Sequence, residues 1–335
     1  MAIPRLLHAL GEVGLIARMR RRLHRDRSVI VGIGDDAAVL RAPASKRLLF
    51  ASDMLVEGIH FRLPPSHHLP AGPKGRNSPS ANRQVVGSSA GTEEVTKPTL
   101  IGWKALAANI SDIAAMGGVP RWAVVSLGAP PSTPVAVVDR LYHGLERCAR
   151  RFGVSIVGGD TVRAPQLIID VAILGTVEPR HLTLRSTARV GDTLFVTGRL
   201  GGSLRSGRHA QFIPRLREAQ ALVTRVRVHA MMDLSDGLAS DAWQLARASR
   251  VTLRIEAAAI PVAQAAGSVH HALVDGEDFE LLFAVGARDT ARVPARIGTC
   301  PVTRIGTVVR RGARVELQRV DGRITLLRAK GFQHF

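Results

Sequence analysis

A chain of 335 residues, 46% of them hydrophobic and 22% charged, has the size for two domains with their own cores and the composition of an ordinary globular protein. No run reaches the ~18 apolar residues of a membrane span, and the N-terminal MAIPRLLHALGEVGLIARMRRRL lacks the order of a secretory signal, so no membrane partner is expected. The formal net charge of +19 comes from scattered arginines, 41 of 46 basic residues, without the aromatic interleaving of a base-stacking surface, which argues against a dedicated nucleic-acid partner.

Along the chain, residues 11–24 read as an amphipathic helix, followed by short apolar strands at 29–33, 37–40 and 48–52. Residues 62–98 hold six prolines, many Ser and Gly, and no aromatic residue, and are expected to be a mobile insertion. The spacing of Ile101, Leu106, Ile110 and Ile113 predicts a helix over 101–116 that carries Asn109 and Asp112 on one side. Strand 122–127, helix 134–152, strand 154–157 and strand 167–176 follow. The pattern pauses over 178–190 and restarts at Thr193–Thr197. A glycine turn (Gly198, Gly201, Gly202), a helix near 214–228, a helix ending about 249, and strands at 251–255, 280–285 and 304–309 complete the chain. This is an α/β chain of the α+β type, with a first domain over 1–180 and a second over 181–335. Cys148 and Cys300 have no metal-type spacing, and a cytoplasmic location, where both stay reduced, is expected.

Nine carboxylates lie in five glycine-punctuated phrases: GIGDDAAVL (Asp35, Asp36), ASDMLVEG (Asp53, Glu57), NISD (Asp112), VGGDT (Asp160) and MDLSDGLASD (Asp233, Asp236, Asp241). Small neighbours let a backbone and a ligand approach closely. Oxygen donors gathered this way suit Mg²⁺, which takes one or two carboxylates and shares oxygens with substrate phosphates. Only one of the adjacent Asp35 and Asp36 can face a given site on an extended chain. Ser52 adds an oxygen donor beside Asp53, and His60 is a candidate substrate contact. Asp112, in an alanine-rich apolar helix, needs a cation or donors to offset burial. VGGDT has the form of a strand-end phosphate or metal turn, and the oxygens of Asp233, Ser235 and Asp236, three within four residues, exceed what one helix cap requires. GRLGGSL lacks the G-x-x-x-x-G-K-[ST] form, and no D-F-G triplet occurs, so neither common kinase class applies.

Taken in order, GIGDDAAV, SDMLVEGIHF, GWKALAANISDIAAMGG, IVGGDTVR, LTLRSTARVGDTLFVTG, DLSDGL, DGEDFELLF and the final GFQHF resemble the thiamine-monophosphate kinase family. That resemblance implies a two-domain aminoimidazole ribonucleotide synthetase-like fold, with mixed sheets flanked by helices. It implies ATP as co-substrate and phosphorylation of thiamine monophosphate to thiamine diphosphate by direct in-line transfer. Carried over by motif, Asp36, Ser52, Asp53, Asp112, Asp160, Asp233 and Asp236 would hold several Mg²⁺ ions, with Asp112, Asp160 and Asp236 closest to the chemistry. Tyr142, Gly159, Asp160, Arg185 and Ser235 would contact ATP, and His60, Glu277 and Phe332 the thiamine phosphate. A homodimer through the N-terminal domains is also implied. Ala51 stands where the family commonly has Ser or Thr, and GFQHF replaces the usual GFDHF or GYDHF. The alternatives are another ATP-dependent synthetase of the superfamily or a non-catalytic polyanion-binding relative.

Overall fold

The structure is a computed structural model that describes Leu6, Arg18 and residues 21–22, 27–31, 39–41, 43–63 and 96–331. Most of the expected helix over 11–24, Asp35 and Asp36, nearly all of the 62–98 segment, and Phe332 lie outside the described residues. Strands β1 (Val29–Val31) and β2 (Val39–Leu40) pair antiparallel.

Four longer strands make the first large sheet: β3 (Arg47–Val56), β4 (Val119–Ala129), β5 (Ser155–Arg163) and β6 (Ile168–Val177). Their order is β3-β6-β4-β5, antiparallel except for the parallel β4–β5 pair. Alternation along β3 assigns its faces: Leu49 and Leu55 turn inward, while Leu48, Phe50, Ser52 and Met54 face out. Helices α1 (Pro98–Ala115) and α2 (Val135–Phe152) cover the inner face. In α2 the buried set Val138, Leu141, Tyr142, Leu145, Cys148 and Ala149 follows the three-and-four spacing of an amphipathic helix. Gly153, at φ 69°, ends it. By contrast, α1 is buried on nearly every side, because it is wedged between the first sheet and the second half of the chain.

Two glycines let α1 and α2 touch backbone to backbone. A methyl group at Gly144 would stand 1.9 Å from the Thr99 carbonyl oxygen, and one at Gly102 1.9 Å from that of Leu141. Gly144→Ala must therefore push the helices apart and is expected to destabilise the fold by about 1–3 kcal/mol. A denaturant midpoint equal to that of the parent chain would show that the helices separate without cost.

The second sheet is mixed and eight-stranded, with order β14-β13-β9-β12-β7-β10-β8 and β11 (Arg296–Ile297) on β12. Its strands are β7 (Thr193–Thr197), β8 (Val228–Asp233), β9 (Val251–Glu256), β10 (Leu281–Val285), β12 (Cys300–Arg311), β13 (Arg314–Gln318) and β14 (Ile324–Leu326). Leu282 and Ala284 of β10 pack with helix α4 (Leu238–Ser249) and helix α5 (Val269–Val274). Leu281, Phe283 and Val285 face the opposite way, onto helix α3 (Leu216–Arg225) and the last turn of α1. Phe212 and Phe279 stack at 3.9 Å within the first core, and Trp103 donates its indole N–H to the Phe212 carbonyl at 2.8 Å.

One expected turn is corrected. VGGDT does not close a strand over 154–157 but runs inside β5, which continues to Arg163. Register slips opposite Ala123 and Val124, and Gly159 at φ 153° lets the Val125 carbonyl lie where a side chain would stand. The glycines accommodate a bulge rather than a turn.

Candidate active site at the seam of the two halves

The last turns of α1, the middle of β3 and the end of β8 bring three expected ligands together. Ser111 donates its hydroxyl to Asp233 Oδ2 at 2.7 Å, tying α1 to β8 inside the protein. The next residue, Asp112, is hydrogen-bonded to Asp53 on the inner face of β3. Burial first, then the charges of Asp233 and Asp53, push the Asp112 carboxyl up to about 9. Burial also raises Asp53, and pushes Asp233 up to about 6 although Ser111 opposes this. Their shared hydrogen bond raises Asp112 and lowers Asp53, so Asp112 is the member of the pair that favours its protonated form.

Arg185, on the segment between the sheets, is the cation of this cluster and favours the ionised forms of Asp112, Asp233 and Asp241. It donates to Gln244 Oε1 at 2.7 Å. Gln244 in turn reaches Asp236 Oδ2 at 3.4 Å and Asp241 Oδ1 at 3.3 Å. Asp241 is buried, pushed up to about 8 by burial and by the charges of Asp236 and Asp233, and accepts from the Asp236 N–H at 3.1 Å. Helix α4 starts at Gly237 with no side-chain cap, so the oxygens of Ser235 and Asp236 are not spent on capping. Asp241, noted in sequence only as part of its phrase, is thus an integral member of the cluster.

A second constellation adjoins the first. The Glu277 N–H donates to the Ser235 carbonyl at 2.7 Å, and Glu277 sits at φ 61°. His60 accepts the Val56 N–H at Nδ1, 3.0 Å away, leaving its proton on Nε2. Lys104, buried within α1, joins the two expected substrate contacts: its ammonium donates to Glu277 Oε1 at 2.5 Å and to the His60 carbonyl at 3.3 Å. Sequence reasoning missed Lys104, because a lysine in an otherwise apolar helix reads as an exposed interruption.

Other expected residues go elsewhere. Ser52 faces the outer side of β3 and donates to Asp170 at 2.9 Å. Asp160 is exposed on the same outer face, where it lines a shallow pocket with Met54, Ser126 and Asp170, and it accepts the Thr161 N–H at 2.7 Å. Gly159 precedes it, paired with Val125 just beyond the bulge. Tyr142 is buried in the first core, which raises its phenol. Ala51 packs partly buried against that core. The Gly201 and Gly202 amides, which could cradle a phosphate, are taken by Asp278 at 2.7 Å and Asp275 at 2.8 Å. Asp36 and Phe332 lie outside the described residues.

Among the described residues no three His, Cys, Asp or Glu side chains already stand close enough to hold a metal ion. The chemistry of the cluster nonetheless fits a hard divalent cation. Burial raises all three carboxyls, and the charges of Asp53 and Asp233 raise Asp112 further, a crowding of acids that a divalent cation would relieve.

The paired sheets and the acidic seam define an AIR synthase related protein. The family described as AIR synthase related protein, N-terminal domain, matches residues 34–74 and 79–177, and the corresponding C-terminal domain family matches 189–318. A thiamine-monophosphate kinase from Rhodopirellula baltica is 36% identical over 318 residues, covering 90% of each chain. A crystal structure of thiamine-monophosphate kinase from Stenotrophomonas maltophilia superposes with a TM-score of 0.72 at 28% identity, over 93% of this chain and 97% of that one. A structure of AaThiL complexed with AMPPCP and TMP superposes over 100% of both chains, with a TM-score of 0.69 and 28% identity. The chain belongs to the thiamine-monophosphate kinase family.

Proposed function

We propose that this protein transfers the γ-phosphoryl group of ATP to thiamine monophosphate, giving thiamine diphosphate and ADP. The observation that carries the reading is the Asp53–Asp112–Asp233 cluster beside Arg185 at the seam, a combination of charges suited to cation-bridged phosphates. Family membership and a structural relative complexed with AMPPCP and TMP support the same substrates. A phosphate oxygen of the acceptor forms the new bond to the γ-phosphorus as the bond to the β,γ-bridging oxygen breaks. The acceptor phosphate, with a second pKa near ~6, is largely ionised at neutral pH, so no strong general base is required. Asp53, Asp112, Asp233 and Asp236 would hold Mg²⁺, which when bound supplies neutralisation of the phosphate charges. Arg185 orients nucleotide phosphates; Ser235 contacts ATP; His60 and Glu277 receive the thiamine side. Supplying ATP, Mg²⁺ and thiamine monophosphate and weighing the products tests the reading. A mass gain of one phosphoryl group on the acceptor is expected, and ATP left intact beside an unchanged acceptor overturns it.

The functional unit in this reading has an N-terminal part over 1–180 and a C-terminal part over 181–335, works in the cytoplasm, and is a homodimer. Support for the dimer comes from the outer face of the first sheet, where Leu48, Phe50, Met54 and Val162 are each more than half exposed among the described residues. Ser52, Gly159 and Asp160 share that face or its edge, so a second copy docked there would bring them into an enclosed setting. Phe50, 72% exposed, is the most open of these apolar residues. Phe50→Asp is expected to convert the dimer to a monomer in light scattering at micromolar concentration. A dimer that persists unchanged would place the contact elsewhere.

A further inference from the structure

We infer that Lys104 is a positioning residue for the acceptor subsite: it holds the Glu277 carboxylate by one oxygen so that the other faces the substrate. The inference rests on the functional reading above and deepens it. Glu277 Oε1 receives the Lys104 ammonium at 2.5 Å, whereas Glu277 Oε2 is buried with no hydrogen-bond partner among the described residues. A buried carboxylate oxygen without a donor is costly, and the cost is relieved when a ligand supplies an N–H, an O–H or a positive charge. The Glu277 backbone is equally constrained. It lies in the left-handed region, its N–H is bound by the Ser235 carbonyl, and its own carbonyl accepts the Ser203 hydroxyl at 2.7 Å. With both main-chain groups engaged, the ammonium settles which carboxylate oxygen is left without a donor.

The same ammonium donates to the His60 carbonyl, at the end of the segment that follows β3. One lysine, itself 1% exposed, thus ties a residue of each half to a single ammonium. A charge placed this deep, in a helix otherwise packed with Ile101, Leu106 and Ile110, contributes little as packing that an aliphatic side chain would not also supply. Its distinctive property is a fixed positive charge with three donors. The ligand feature it prepares for is a hydrogen-bond donor or cationic group on the ring portion of the acceptor, not its phosphate, which a carboxylate would repel.

Lys104→Met keeps the volume and removes the charge. It is expected to raise KM for thiamine monophosphate about ten- to a hundredfold, while KM for ATP changes little. Glu277→Gln should raise the same KM, and Lys104→Met/Glu277→Gln should be no worse than Glu277→Gln alone, because Lys104 acts through Glu277. A Lys104→Met protein that loses thermal stability but keeps the parent KM overturns the inference, as do additive effects in the double variant. Should Lys104→Met not fold, the double variant, in which both charges are gone, carries the comparison: a KM above that of Glu277→Gln again overturns it. A parent protein that does not phosphorylate thiamine monophosphate at all overturns the functional reading, and this inference with it. A parent that does, beside an unaffected Lys104→Met variant, overturns the inference alone.

Discussion

Asp112→Asn is expected to cut turnover severely while making the metal-free chain more stable at pH 8. Both effects have one origin. Asp112 is pushed up to about 9 by burial and by the charges of Asp233 and Asp53. Its native state therefore holds a proton that the unfolded chain, near the ordinary 3.8, has already lost. A carboxyl raised in this way leaves the fold at full stability below the unfolded value and weakens it as pH climbs toward the folded value. Asparagine needs no proton and can still donate to Asp53. In chelator the variant should exceed the parent by on the order of 1–2 kcal/mol at pH 8, with the gap narrowing toward pH 5. Mg²⁺ should raise the parent's melting temperature and leave the variant nearly unmoved. Turnover should fall about a hundredfold to a thousandfold, the scale seen when one preorganised group facing developing charge is removed. A variant that is both active and metal-responsive would remove Asp112 from the reaction.

Glu280→Ala should cost more stability than any substitution in the acidic cluster. Glu280 is 1% exposed and accepts four bonds: two from the Arg215 guanidinium at 2.5 and 2.6 Å, one from the Thr197 hydroxyl at 2.7 Å and one from Arg208 at 3.2 Å. Arg208 also donates to buried Asp278 at 2.5 Å, and Asp278 in turn receives the Gly201 amide. Deleting Glu280 leaves Arg208 its pair with Asp278 but takes from the largely buried Arg215 both of its short carboxylate bonds, a loss of about 3–5 kcal/mol. That is a large share of the ~5–15 kcal/mol by which a domain is usually stable. Chemical denaturation measures it, and a shift below about 1 kcal/mol would mean that water replaces the carboxylate freely. Because Glu280 lies three residues from Glu277, the variant that survives should also bind the acceptor more weakly.

The sequence was most legible where period and chemistry agree. Helices α1 and α2 fall within three residues of the expected spans, since their apolar spacing is dictated by the core they face. The convergence of Asp53, Asp112 and Asp233 was foreseen because carboxylates beside small and apolar residues make little sense on a solvated face. What escaped reading depended on partners distant in the chain. Lys104 gains its meaning only from Glu277, 173 positions away, and VGGDT becomes a bulge only against Ala123 and Val124 of β4. Strands β13 and β14 passed unnoticed because arginine and glutamate dilute their alternation, although Val315 is fully buried. Ser52 and Asp53 could not both enter one site, as adjacent residues of a strand face opposite ways.

Helix α1 starts in the core of the first sheet and ends, at Ala114 and Ala115, beneath the second, against Leu222 and Val223. Severing the chain between β6 and β7 would consequently yield fragments that each bare a greasy wound shaped for the other. The halves are obligate folding companions, and a split gene for this enzyme would have to make both products at once.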